Sequence, residues 1–264
     1  MLNDFNIFLW LLKLGAFINL YFLVNTFALS SAVADAHILI PARILFTVSA
    51  YRCLFPVQYK DHVVLHDSLF SSIFLTRLLA TFSEVAYIYL LSYMIRLLNI
   101  DSAAWINILS WIMVLQVVIS QCFVWSAILT RRLIFFYYEE LGWATIFALN
   151  TIASAYLYLT VELLSGAYIL LRLNLLFGLL YLPWQFFHLR VLRSDSRQSH
   201  TTDQQETGIS RKLLKHGLWR SIHMRKQASD ADAWGRLIGL TWMIGYWATL
   251  IPIWVNQIVA VFSQ

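Results

Sequence analysis

Charge is scarce in this chain. Asp, Glu, Lys and Arg make up 12% of its 264 residues, against about 25% in soluble domains. With 60% of the residues hydrophobic, that scarcity excludes an ordinary water-soluble fold. Cysteine is scarce too. Cys53 and Cys122 both fall within or beside apolar runs, so there is no disulfide framework and no CxxC metal motif. Nine glycines and four prolines leave few helix interruptions, with Pro41, Pro183 and Pro252 inside or at the edges of apolar runs. Moving helices usually exploit such breaks, so their scarcity argues against alternating access and leaves a simple channel open. A serine nucleophile signal, a glycine-rich phosphate loop and an internal repeat are all absent.

What is present is a series of long apolar segments. The chain has room for about seven spans of roughly 20 residues, expected at Phe5–Ala28, His37–Phe55, Ser68–Leu98, Ala103–Leu129, Leu141–Val161, Ser165–Leu189 and Trp234–Phe262. The fold class is therefore an all-α, polytopic transmembrane bundle, read as a single domain over residues 1–264. The second span is short and carries Arg43 and Arg52. Including it collects Arg52, Lys60, Arg131, Arg132 and the basic residues of 190–226 on one side, leaving only Arg96 opposite. Cytoplasmic connections hold the Lys and Arg, so the N-terminus is placed in the cytoplasm and the C-terminus outside. Seven-span receptors and rhodopsins have the reverse orientation, and Gly235 to Phe262 contains no lysine for a retinal Schiff base. Ala32-Val33-Ala34 has the look of a signal-peptidase site, but Asp4 and the lack of an early Lys or Arg favour a retained first span. Compact connections suggest a bacterial inner membrane.

The connection 190–233 is expected on the cytoplasmic side. Ser194 to Gly208 reads as a flexible linker rich in Ser, Thr, Gln and Asp. From about 209 to 226, Ile209, Leu213, Leu218 and Ile222 recur at near-helical spacing among Arg211, Lys212, Lys215, Arg220, Arg225 and Lys226. That is the pattern of an interfacial amphipathic helix with anionic lipid as its partner. The net charge of +5 is thus assigned to orientation and lipid contact, and nucleic acid is discounted.

Arg77, Thr81 and Glu84 stand at i, i+4 and i+7 on one face of the third span. Ionisable groups in hydrocarbon mark a site or a buried pair. The Arg77 and Glu84 α-carbons should lie about 10 Å apart, so a water, a neighbouring side chain or a ligand head is expected between them. Arg43, Arg172, Asn174, Asn150, Gln116 and Gln121 are the other polar side chains within spans.

A second group gathers at the cytoplasmic face. His62 and His66 at i, i+4 would point the same way on a helix and share a metal. The topology places Glu139, Glu140 and His188 on that face as well. Two or three imidazoles with a carboxylate suit zinc or iron with an open position. Paired glutamates also occur in the intramembrane proteases that process prenylated proteins, but that family follows them with an arginine and needs two later histidines within spans. Here Trp143 and Ala144 follow, and the last span has no histidine. Membrane desaturases need several histidine boxes and two-haem cytochromes need paired histidines within spans, so neither family fits.

Three functions remain open. An enzyme acting on a lipid or isoprenoid near the cytoplasmic face would use Glu84, or Glu139 and Glu140, as acid or base and Arg77 to hold an anionic head. A channel or transporter would place Arg77 and Glu84 on an ion, proton or solute path. A non-catalytic membrane subunit would instead show Arg77 and Glu84 paired snugly, without a cavity beside them.

Overall fold

The long apolar runs become helices because, away from water, only an unbroken helix satisfies each backbone N–H and C=O within its own segment. A computed structural model describes residues 4–29, 35–59, 61–162, 165–202 and 209–263. Lys60, Ala32-Val33-Ala34 and the 203–208 part of the expected linker lie outside these residues. Five described stretches are long and apolar enough to cross a membrane: Phe5–Ala28, Ile73–Leu98, Ala104–Thr130, Gly166–Arg197 and Gly239–Phe262. The chain divides into two compact units, residues 1–90 with 219–264 and residues 91–218.

In the first unit, α1 (Asp4–Ala28) packs against α2 (Ala36–Leu54). The Asp35 side chain caps α2 by accepting from the His37 N–H at 2.8 Å. One face of α1 leaves Trp10, Leu14, Phe17, Tyr21 and Val24 exposed, an apolar stripe that suits lipid better than water. Arg43, a charge the sequence puts inside a span, is held at the end of α1. Its Nε donates to Thr26 Oγ1 at 3.1 Å, its Nη2 donates to the Thr26 carbonyl at 2.7 Å, and its guanidinium lies 4.2 Å from the Phe27 ring centre. A cation at these last carbonyls opposes the helix dipole favourably.

After α2 the chain forms two short strands, β1 (Val57–Gln58) and β2 (Val63–Val64), and then α3 (Ile73–Leu98). β1 pairs antiparallel with β2, and β2 pairs parallel with β3 (Lys226–Gln227). The otherwise helical chain therefore carries a small three-stranded sheet that a purely helical reading does not include. β3 follows α7 (Arg211–His223). An exposed Arg225–Asp67 ion pair of 2.7 Å supports the sheet.

The last span is interrupted. It consists of α8 (Arg236–Met243), a π-helical segment at Ile244–Ala248 and α9 (Leu250–Phe262). Pro252 explains the break: it has no N–H for the Ala248 carbonyl, and its ring crowds that carbonyl. The Thr249 N–H turns instead to the Ile244 carbonyl at 3.0 Å. The Trp247 carbonyl accepts from Asn19 Nδ2 at 2.9 Å, which anchors α1 to the break. Gly15 makes this approach possible, because a Cβ there would overlap Ala248.

In the second unit, α4 (Ala104–Thr130), α5 (Leu133–Thr160) and α6 (Ser165–Thr202) pack in sequence order. Arg131 in the left-handed conformation (φ 60°) makes the tight turn from α4 to α5. Two boundaries differ from expectation. α5 begins at Leu133, so Glu139 and Glu140 lie inside a helix. α6 continues through 194–202, where a flexible linker was expected, and at 38 residues is about 57 Å long. Buried Asn174 donates to Asn150 Oδ1 at 3.3 Å and to Ser154 Oγ at 2.9 Å, joining α6 to α5. Such interhelical bonds supply modest glue in a membrane, about 0.6–2 kcal/mol.

Candidate functional site

Arg77 and Glu84 meet directly. Arg77 Nη1 donates to Glu84 Oε1 at 3.1 Å and Nη2 donates to Oε2 at 2.6 Å, with the two side chains only 4% and 7% exposed. This corrects the expectation of an intervening partner. The α-carbon spacing across seven residues was sound, but two long side chains reaching toward each other close the gap. The fork is the bidentate geometry that arginine and a carboxylate favour. It binds two turns of α3 into one rigid element and commits both Glu84 oxygens to Arg77.

The same region contains a second buried cation, one that the sequence reading places at the end of the short second span and counts toward orientation. Arg52, in the last turn of α2, is 3% exposed. Its Nη2 donates to the Val57 carbonyl at 3.3 Å, while Nε and Nη1 are buried without a hydrogen-bond partner. Its guanidinium lies 5.0 Å from the ring centre of Tyr59 and 5.1 Å from that of Trp247. The Arg77 guanidinium lies 5.7 Å from the same Tyr59 ring. Tyr59 sits on the turn after β1, with its hydroxyl buried and unpartnered. Trp247 comes from the π-helical segment. Four elements thus assemble a cluster of two arginines, one glutamate and two aromatic rings.

Its signals in sequence were weak but present. Arg52 is a charge inside a short span, and Pro252 is a proline inside the last one. The contact of Arg52 with Trp247, 195 residues later, had no local signature.

The metal candidates do not come together as spacing suggested. The 62–66 segment is not a helix, because β2 occupies Val63–Val64. His62 has a positive φ of 56° and its Nδ1 lies 3.2 Å from the Met224 carbonyl. His66 stands edge-on to Phe55 at 6.2 Å. His188, in the other unit, stacks on Trp184 at 4.9 Å. Among the described residues no group of three or more His, Cys, Asp and Glu is placed to hold a metal ion. Glu139 is buried, and Glu140 accepts from Gln185 Nε2 at 2.7 Å through its carboxylate and at 2.9 Å through its carbonyl. The Glu140 contact ties α5 to α6.

A cavity of about 240 Å³ in the first unit is lined by Phe22, Thr26, Asn256 and Val259 among others, none of them from the arginine cluster. No protein-family model, curated protein or solved structure matches the chain.

Proposed function

We propose that the chain is a seven-span integral membrane protein, N-terminus in the cytoplasm and C-terminus outside, that handles an anionic lipid or isoprenoid at its cytoplasmic face. A bacterial inner membrane suits the short connections. The observation that carries the reading is α7. It has five Lys, Arg or His residues in its first ten and no acidic residue. Arg211, Lys215, Leu218 and Trp219 follow one exposed stripe of it, with Leu218 39% and Trp219 54% exposed. A stripe that mixes cations with an indole suits an anionic bilayer surface, where each Lys or Arg contributes about 1 kcal/mol.

Because Glu84 is occupied by Arg77, the reading concerns binding and positioning of an anionic head, with Glu84 in a structural role. The closed Arg77–Glu84 fork also favours a second reading, a non-catalytic membrane subunit whose docking surface is α7.

Trp219 supplies the test. In bilayer discs, the emission difference between the native protein and Trp219→Phe should be quenched more by brominated anionic lipid than by brominated zwitterionic lipid. High salt should remove the preference. Equal quenching by both lipids would refute the lipid-surface reading and leave the subunit reading ahead. Single cysteines at positions 36 and 61, in a background with Cys53 and Cys122 replaced, should label from opposite sides if α2 crosses the membrane.

A further inference from the structure

The first unit buries more positive charge than it neutralises. Arg77 has Glu84, whereas Arg52 has no ion-pair partner among the described residues. The Arg52 guanidinium is thus a cation in a buried setting. The Tyr59 and Trp247 rings attract the guanidinium by their faces. A ring face does not satisfy the N–H groups, however, and Nε and Nη1 are left without acceptors. A buried polar group in this state needs a reason, such as a ligand.

We propose that Arg52, with the Tyr59 hydroxyl and the Arg77 guanidinium near it, forms a binding site for a phosphate-bearing head group. This deepens the amphiphile reading above by naming the head, and it rests on that reading only for the source of the phosphate. Three observations converge. Two unpartnered Arg52 donors and the unpartnered Tyr59 hydroxyl are buried in one neighbourhood. A second guanidinium lies within 5.7 Å of the same Tyr59 ring. The helix that supplies Trp247 is π-helical at that residue, a distortion frequent at functional sites. More than two donors around a net positive centre suit phosphate, with its several acceptor oxygens, better than a second carboxylate. Tyr59 is only half-buried on its turn while Arg52 and Arg77 are buried, so the turn after β1 borders the site.

The test is thermal unfolding and binding of the purified full-length protein with short-chain phosphatidate, diacylglycerol of the same chains, or inorganic phosphate. Native protein should be stabilised by phosphatidate and not by diacylglycerol. Arg52→Gln should abolish that shift, and Tyr59→Phe should weaken phosphatidate binding about tenfold. A double variant, Arg211→Glu with Lys215→Glu, should retain it, which separates this site from α7. Stabilisation by inorganic phosphate at equal concentration would support the site and identify the free ion as sufficient. No stabilisation of native protein by phosphatidate or phosphate, or an unchanged shift in Arg52→Gln, would overturn the proposal. If Arg52→Gln does not fold, unchanged affinity in Tyr59→Phe overturns it. Loss of the shift only in the α7 variant would overturn the site while sustaining lipid contact at α7.

Discussion

Breaking the Arg77–Glu84 fork from one side should be far more damaging than removing it whole. At an effective dielectric near 20, opposite charges about 4 Å apart attract by roughly 4 kcal/mol. The two contacts of 3.1 and 2.6 Å and exposures of 4% and 7% put this pair in the well-formed, buried class. In Glu84→Gln the Arg77 cation stays buried beside a neutral amide, and a loss of about 3–5 kcal/mol is expected. Arg77→Met strands the carboxylate and should cost about as much. In the double variant, Arg77→Met with Glu84→Leu, no charge is stranded and apolar side chains fill the space, so stability should return to within about 1–2 kcal/mol of native. The coupling between the two sites should then be about 3 kcal/mol or more. Reversible unfolding in mixed detergent–SDS micelles, followed by intrinsic fluorescence, measures all four corners of this cycle. A double variant as unstable as the sum of the singles would refute the argument, because the residues would then act independently.

Asn19→Leu removes the donor to the Trp247 carbonyl at the break in the last span and should cost about 1 kcal/mol; hydrogen exchange should speed up at Thr249 and leave the second unit unchanged. Arg43→Leu loses both bonds to Thr26 and should cost about 1–3 kcal/mol in the same unfolding assay, with Arg43→Lys recovering only part because an ammonium lacks the planar fork. Pro252→Ala restores an N–H for the Ala248 carbonyl. If the helix then becomes regular, Trp247 swings by about 100° per residue of register change, and Trp247-dependent emission, read against Trp247→Phe, should shift.

Helices were legible where the physics is local. The apolar runs specify α1, α3, α4 and the last span to within a few residues, and the spacing of Leu213, Leu218 and Ile222 among cations marks the segment that forms α7. Local reasoning failed where a helix continues past the span expected for it. The aromatic run Leu133 to Tyr138 with Glu139 and Glu140 extends α5 at its start, and polar Ser194 to Thr202 extends α6 at its end, since adding a residue to a formed helix is far easier than nucleating one. The His62–His66 spacing misled for the opposite reason. Its helical period was assumed, whereas backbone bonds to the segment after α7 draw Val63–Val64 into a sheet. Arg77 and Glu84 stand out in the sequence as the charged pair of their span, but their contact depends on side-chain reach, which α-carbon spacing does not convey.

The arginine cluster shows how one local constraint positions a distant group. Pro252 cannot donate to Ala248, so the last helix opens into a π-turn over Ile244–Ala248. The added residue sets the direction of Trp247, and the turn brings its carbonyl to Asn19. With Gly15 allowing α1 to lie against Ala248, α1 holds the π-turn at two points, and the Trp247 ring faces Arg52. The Tyr59 ring lies against Arg52 and also against the clamped Arg77–Glu84 pair. A rigid aromatic and ionic frame around a cation whose Nε and Nη1 are unmet differs from the Asn174–Asn150–Ser154 contact, which simply joins two helices. The first arrangement preorganises donors for a guest, and that difference makes Arg52 the residue on which function is expected to turn.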